Sequence, residues 1–519
     1  MTATHTTSGI REFAAYQVAD ALADAGLLVD ERGGMPPWLT GITDDSRRVG
    51  PGALFVAVRG SARDGHDFLE AAARSGAAAV VAEDATRTRL PAFVVRDGRA
   101  AAAVAAAAAY DFPGEGLRAI GVTGTNGKST TVAILRHLLD DAVARSASIG
   151  TIGVFIGSEG DAVDGVVGDA GLTTPGPIEL QGILRLLADR DVRTVALEVS
   201  SHSLDQRRIE GLSFEAVMFT NLTRDHLDYH GTMDAYLAAK SRLLSYLKPG
   251  GVAVINADDP AWRALPPIAH RVTFSGVVAG EASERADVDV RAASLRFGPR
   301  GSEWDLVVGG RAFPVRLPLI GDFNVANALG AAAAAWALGL APDVIAQRLS
   351  SVPQVPGRLE VISEAPSVLR DYSHTPDALQ RALLAVRPFT RGRLIVVFGA
   401  GGDRDRGKRP LMGAAAEQLA DVVVITSDNP RTENPDRILD EIESGMTRPH
   451  ERIEDREAAI VRALEIARPD DLVLLAGKGH ETYQVRGETR YPCDERAIVL
   501  RIIASRVCAM RRCRQGNLD

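Results

Sequence analysis

Residues Gly121 to Thr131 read GVTGTNGKSTT, a glycine-rich run that ends in Lys-Ser just before a helical stretch. Such a turn brings backbone N–H groups up to phosphate oxygens, and the helix that follows presents its positive dipole end to them. Lys128 is placed to neutralise outer phosphates, and the hydroxyl of Ser129 or Thr130 can ligate magnesium. The general P-loop pattern wants a glycine six residues before the lysine. Val122 stands there, with Gly121 and Gly124 on either side. The strand-like LRAIGVT before the loop and the amphipathic TTVAILRHLL after it complete a strand–loop–helix context. The loop implies ATP or GTP and leaves open what the phosphate is for.

Further polar clusters follow apolar runs along the chain: EVSSHS with Gln206 and Arg208 beyond it, NLTRDHLDYH, GAGGDRDRGKRP, SDNPRTENP and AGKGHETYQ. One could be loop decoration. Five at the same ends of strands point to a site, because parallel sheets bind ligands beyond the carboxyl ends of their strands. Glu198 and His226 are candidate partners for a metal at the phosphates, although histidine is an unusual magnesium ligand and His226 alone reads as a loop histidine. Asp225 and His230 read as structural. Asp403 to Pro410 carries four cations in eight residues, either a solvated loop or an anion clamp. Asp428, Asn429 and Arg431 surround a turn-stiffening proline and could hold a zwitterion, with Arg431 on its carboxylate and Asp428 or Glu481 near its ammonium. Neither G-x-S-x-G nor H-E-x-x-H occurs.

The elements that must position these residues alternate: short Val/Ile-rich runs, then Ala/Leu-rich helical stretches. That is the pattern of βαβ units and largely parallel sheets, an α/β fold. Strands are expected at Ala119 to Thr123, Thr194 to Val199, Ala216 to Thr220, Gly251 to Ile255, Leu394 to Phe398, Val422 to Thr426 and Leu472 to Leu475. Pro/Gly-rich breaks at Asp111 to Gly116 and Ser351 to Gly357 divide the chain near 112 and 355. Val277 to Pro318 reads as a β-rich antiparallel insertion turning at Gly298 to Ser302. The alanine run from Ala101 to Tyr110 reads as a helix in a packed layer, and Ala509 to Asp519 as a frayed polar tail. A chain of 519 residues needs about three domains. Its net charge of −8, the absence of a lysine-rich block and 5% aromatic content argue against nucleic acid. No secretory signal or membrane span is visible, and three cysteines near the C-terminus without metal spacing fit a reducing cytoplasm.

With these residues assembled, the chain resembles the Mur ligases of the MurE type, which add the third amino acid to UDP-N-acetylmuramoyl-L-alanyl-D-glutamate in peptidoglycan synthesis. The resemblance runs from about Thr43 to Arg496 through ordered motifs: DSRRVGPGALFVAVRG, GVTGTNGKST, TTPGP, EVSSHSL, FTNLTRDHLDYHG, AAKSRLL, GDFNVANAL, VPGRLE, DYSHTPDAL, GAGGDRDRGKRPLMG, DNPRTENP and GKGHETYQ. It implies three domains: a small α/β N-terminal domain over 1–112 for the UDP end, a central P-loop-type ATPase domain with a parallel sheet over 113–355, and a Rossmann-like domain over 356–519 for the incoming amino acid. Carried over by position, Ser46 and the loop of Ser61, Asp64, Gly65 and His66 would hold uridine diphosphate. Thr173, Thr174, Ser200, Gln206 and Arg208 would hold the muramoyl dipeptide. Gly124, Thr125, Asn126, Gly127, Lys128, Ser129 and Thr130 would cradle ATP phosphates, with Asn324, Arg358 and Asp371 toward its base and ribose. Ser129, Glu198 and His226 would hold Mg²⁺. Lys240, otherwise read as a helix-surface lysine, matches the residue that the family carbamylates to bridge the metal. Arg404, Asp428, Asn429, Arg431, Gly477 and Glu481 match the amino-acid pocket, and DNPR accompanies diaminopimelate in this family. The second carboxylate of diaminopimelate gives Arg431 a partner, which lysine would leave buried and unpaired.

The implied reaction makes an amide in water: ATP converts the D-glutamyl γ-carboxylate to an acyl phosphate, and the diaminopimelate amine displaces phosphate. Lys128, Glu198, His226 and Lys240 would carry the catalysis by positioning and charge stabilisation. The substrates are small molecules, and a cytoplasmic monomer is expected. Ser129 replaces the usual threonine, Ala400 a common cysteine, Ser373 a common alanine, and Gly176 a frequent acidic residue. These departures leave open a paralogue joining another amino acid. Other readings are a folylpolyglutamate-synthase-like ligase, an NTP hydrolase or kinase with an inert amino-acid pocket, and an idle binding protein.

Overall fold

The computed structural model describes residues 12–60, 63–163, 172–276 and 288–515, with side chains up to 505. Ser61 and the start of the expected insertion at Val277 lie outside the described residues.

Three sheets follow one another along the chain. The first has five strands in the order Leu28–Arg32, Ala92–Val95, Ala79–Ala82, Leu54–Val56, Ile42–Thr43, parallel except for the first. Helix Gly98–Ala109 covers it, started by Asp97, whose carboxylate accepts from the backbone N–H groups of Arg99 and Ala100. Its alanines are buried on every side because it packs between helices Ala15–Asp24 and Pro177–Ala188. Its side chains are nearly all methyl groups, which lets the helix lie close to its neighbours on both sides.

The second sheet has eleven strands. Its core runs Arg145–Gly150, Val192–Glu198, Arg118–Thr123, Phe214–Phe219, Leu247–Asn256 and Arg271–Ser275, all parallel. The expected insertion is antiparallel within itself, as strands Val290–Gly298, Gly301–Val308 and Arg311–Leu317. It is not a separate layer, because Val290–Gly298 pairs in parallel with Arg271–Ser275 and so lengthens the central sheet. In its outermost strand, Arg316 donates its backbone N–H to the Ser350 hydroxyl at 3.0 Å, and Pro314 has no N–H to give.

The third sheet orders six strands as Glu360–Glu364, Ser367–Asp371, Leu472–Ala476, Leu394–Phe398, Val422–Ile425 and Glu451–Arg452. All but the first pair are parallel. The three central strands, Leu472–Ala476, Leu394–Phe398 and Val422–Ile425, are apolar on both faces, as a sheet with helices on both sides requires. Beyond them the reading of a frayed tail is corrected as far as Gln515: one helix runs from Glu495 to Gln515, and residues 516–519 lie outside the described residues. The apolar residues Ile498 and Val499 pack its first turns into the core. No helix among the described residues is long and apolar enough to cross a membrane.

Candidate active site

The glycine-rich loop leaves the end of Arg118–Thr123, and Val122 belongs to that strand, fully buried. The turn itself begins at Gly124 (φ 148°) and closes at Gly127 (φ 87°). A methyl group on Gly124 would overlap the Thr220 hydroxyl, and one on Gly127 the Asn327 amide oxygen, so both positions demand glycine. The segment after the neighbouring strand holds the loop in shape. Asn221 accepts the Asn126 N–H at 2.9 Å and donates to the Asn126 carbonyl at 3.1 Å. Thr125 likewise exchanges hydrogen bonds with the Thr223 backbone.

Lys128, first residue of helix Lys128–Leu139, donates to the carbonyl oxygens of Gly124 and Thr125, both at 2.9 Å. Lys240 donates to that same Gly124 carbonyl at 2.8 Å. Lys240 is only 1% exposed, which corrects its reading as a surface lysine. Burial pushes both amines below the ordinary lysine range, and for Lys240 the adjacent Lys128 charge pushes further, well below it. The two amines thus converge on one loop carbonyl in a desolvated place, where the charge of Lys128 disfavours a second charge on Lys240.

Glu198 ends the strand beside the loop strand, in register with Val122, and is fully buried. Thr151 fixes it: its N–H and hydroxyl donate to the two carboxylate oxygens at 3.0 and 3.1 Å. His226 faces the cleft with 45% of its side chain exposed. Desolvation by the cleft walls pushes its pKa down to about 4, so the ring is neutral and able to ligate metal. Burial alone would raise the Asp225 carboxyl, but His226, His374 and the His226 N–H bring it below its usual value. Asp225 lines the cleft, whereas His230 is engaged with the Ser201 hydroxyl at 2.9 Å.

One cleft of about 1220 Å³ joins this wall to the ends of the third sheet's strands. A single small ligand fills roughly 300–1,000 Å³, so the space suits several reactants together. Thr173, Ser200 and Arg208 line it on one side, and Arg404, Asp428, Asn429, Arg431, Gly477 and Glu481 on another. Thr174 lies beneath, its hydroxyl donating to the Glu198 carbonyl at 2.8 Å and accepting the Ser200 N–H at 3.0 Å. Gln206 orients Arg208 from outside the cleft. Arg358 reaches across from the third unit to the Ser129 hydroxyl at 2.7 Å, and Asp371 sits below it, its carboxyl raised by burial.

Some expected residues are placed elsewhere. Asn324 is buried against its own helix, donating to Ile320 O and accepting from Asn327, and Asn327 is the one that lines the cleft. The four cations of Asp403 to Pro410 divide: Arg404 and Lys408 face the cleft, while Arg406 and Arg409 are bound to Glu441 and Glu433. Ser46, Asp64, Gly65 and His66 do not line this cleft. The His66 ring is fully used internally: Nδ1 meets Asp64 at 2.7 Å, and Nε2 accepts the N–H groups of Glu83 and Asp84 at 3.1 and 3.3 Å.

Residues that carried no assigned role also line the cleft, among them Thr151, His374, Lys408 and His480. Burial pushes His374 to about 4 and His480 to about 3. Both stood in the quoted motifs, but only the fold shows which motif residues turn inward.

Models of known families match in chain order: a Mur ligase family catalytic domain over 39–111, a Mur ligase middle domain over 122–335, and a Mur ligase glutamate ligase domain over 357–479. The chain is 44% identical over 489 residues to a UDP-N-acetylmuramoyl-L-alanyl-D-glutamate–2,6-diaminopimelate ligase of Synechococcus elongatus, covering 91% of this chain and 95% of the relative. It is 41% identical to one from Geobacillus thermodenitrificans, covering 92% and 96%. A solved structure of a ligase with that name superposes with a TM-score of 0.62 at 34% identity, covering 92% of this chain and 97% of that one. Folylpolyglutamate synthase of Mycobacterium tuberculosis shares the fold at 20% identity and a TM-score of 0.59, covering 72% and 91%. The chain therefore belongs to the Mur ligase family, in its MurE branch.

Proposed function

We propose that this enzyme is the ATP-dependent ligase that joins diaminopimelate to the D-glutamyl γ-carboxylate of UDP-N-acetylmuramoyl-L-alanyl-D-glutamate, a step in building peptidoglycan precursors. The observation that carries this reading is the single cleft, with the phosphate loop at one wall and Arg404, Asp428, Asn429, Arg431 and Glu481 at another. An enzyme that only hydrolysed ATP would have no use for the second wall. We take the three sheets as three domains, 1–112, 113–355 and 356–519, with the active cleft between the second and third.

A carboxylate is a poor electrophile, so its oxygen first attacks the γ-phosphorus of ATP, and ADP leaves. The neutral amine of diaminopimelate then attacks the acyl carbon, phosphate departs with the acyl oxygen, and one proton is released. Lys128 at the loop stabilises the transferring charge. Arg404 and Arg431 hold the carboxylates of the amino acid, and Asp428 and Glu481 hold its distant ammonium. Thr173, Ser200 and Arg208 seat the dipeptide end, and Ser46 with the Asp64 to His66 loop seats the uridine diphosphate through groups other than the His66 ring. Closure of the walls excludes water that would hydrolyse the acyl phosphate.

The donors present fit Mg²⁺. Among the described residues no three His, Cys, Asp or Glu side chains form a cage, and magnesium characteristically takes one or two carboxylates plus phosphate oxygens and water. Glu198, the Ser129 hydroxyl and neutral His226 would hold it, and when bound it neutralises charge on the phosphates. Lys240 is set up for carbamylation: the uncharged amine is what adds CO₂, losing one proton, and burial with the adjacent Lys128 charge favours that form of Lys240.

The test is ADP release by the purified enzyme with UDP-muramoyl dipeptide and meso-diaminopimelate, LL-diaminopimelate, lysine or ornithine. Release should require both the dipeptide and diaminopimelate. Equal release without any amino acid would overturn the ligase reading.

A further inference from the structure

Lys478 lies in the turn after strand Leu472–Ala476 and is among the most completely buried side chains of the protein, with no measurable exposure. Lysine is almost never fully buried unless paired. Its ammonium is 2.8 Å from Glu481 Oε2, 3.0 Å from Asn429 Oδ1 and 3.6 Å from Asp428 Oδ1. The network closes on itself: Asn429 Nδ2 donates to the same Glu481 oxygen at 2.9 Å, and Asn429 Oδ1 also accepts the Val485 N–H at 2.9 Å. The three side chains that Lys478 ties together line the cleft, and Lys478 does not.

We propose that Lys478 is the positioning residue of the amino-acid pocket, acting on specificity through Asp428, Asn429 and Glu481. This rests on the assignment of that wall to diaminopimelate. The charge count gives the reason. Asp428 and Glu481 face the cleft as two carboxylates, and Lys478 behind them cancels one negative charge. What remains complements one ammonium, which suits an amino acid whose other amine must be neutral to attack. One fixed ammonium, hydrogen-bonded to Glu481 and Asn429 and ion-paired with Asp428, also lies between the two carboxylates, which sets the distance from that ammonium site to the Arg431 side. A buried charge network locks geometry only when every member is satisfied.

The experiment first requires diaminopimelate-dependent ADP release by the wild type, whose absence would refute the pocket assignment itself. Lys478→Met is then compared with Glu481→Gln and with the double variant. Lys478→Met should raise the KM for diaminopimelate by about 10–100-fold, the range expected for losing a charged hydrogen bond, while the KM values for ATP and the dipeptide stay within threefold. Ethylammonium should restore part of the loss in Lys478→Ala, a rescue that a merely structural role would not give. Because Lys478→Met leaves carboxylates unpaired and could unfold, the double variant, which removes both charges, carries the test independently. Its diaminopimelate KM should lie well below the product of the two single effects, since both substitutions act on one network. An unchanged KM for diaminopimelate in Lys478→Met, equal increases for all three substrates, or multiplied effects in the double variant would each overturn the proposal.

Discussion

Arg358 donates to the hydroxyl of Ser129 at 2.7 Å, so a residue at the head of the third unit grips the phosphate loop of the second. The guanidinium also lies over the Tyr372 ring, 4.8 Å from its centroid, which keeps it extended toward the loop. Chain segments far apart in sequence thus meet at the start of helix Lys128–Leu139.

Arg358→Ala removes both the grip and the charge. A charged hydrogen bond contributes about 1.5–3 kcal/mol. Titration calorimetry should therefore show ATP affinity weakened by about 10–100-fold, with dipeptide affinity unchanged.

Gly150 has a different kind of influence. A methyl group there would overlap Glu198 Oε1, and the carboxylate would have to leave its two bonds to Thr151. Gly150→Ala should lower kcat by about 10²-fold, the usual result of a displacement of about 1 Å in a catalytic group. Metal-free nucleotide binding, followed by fluorescence, should not change.

Lys240 gives a pH and CO₂ dependence. Its amine is held well below the ordinary lysine value, so the neutral form is present at a pH where an exposed lysine is protonated. Lowering the pH protonates it and reverses carbamylation; raising the pH favours it. Activity should fall in CO₂-depleted buffer, return with bicarbonate, and need more bicarbonate as pH falls. Lys240→Arg should be inactive and insensitive to bicarbonate.

His66 should matter for stability. Its ring nitrogens serve Asp64 and the N–H groups of Glu83 and Asp84, so His66→Ala leaves two backbone donors unpartnered. Urea unfolding should show a loss of about 3 kcal/mol, since each orphaned group costs roughly 1–3 kcal/mol. The KM for the dipeptide should stay within threefold at 20 °C or so, where the fold is intact.

A buried cleft histidine contributes to the loss of stability in acid. His374 has its folded pKa lowered from 6.5 to about 4 by burial, so protonation favours the unfolded chain. This contribution is complete above about pH 6.5 and is lost as pH falls through about 4. His374→Gln should flatten the decline of Tm over that window.

The phosphate loop and the order of strands could be read from the sequence because each depends on local chemistry: glycine spacing, apolar runs, polar clusters after them. The strand expected over Ala119 to Thr123 already contains Val122; the sheet register and the backbone add that the turn starts at Gly124. Side-chain direction was harder still. Arg404 and Arg406 are two residues apart in one cationic run, yet one faces the cleft and the other is held by Glu441, a residue of a distant helix. Asn324 and Asn327 lie one helical turn apart, and packing decides which of them reaches the cleft. Lys240 reads as a helix-surface lysine because its burial is imposed by elements far away in the chain.

The outermost strand, Arg311–Leu317, has an outcome for the molecule in concentrated solution. Arg316 sends its N–H outward to Ser350, so by alternation Ala312 and Pro314 also point away from the neighbouring strand. Of those three positions, one is already satisfied and one has nothing to donate. A neighbouring molecule seeking to extend the sheet would find a broken template, so this long edge is guarded against the stacking that begins aggregation.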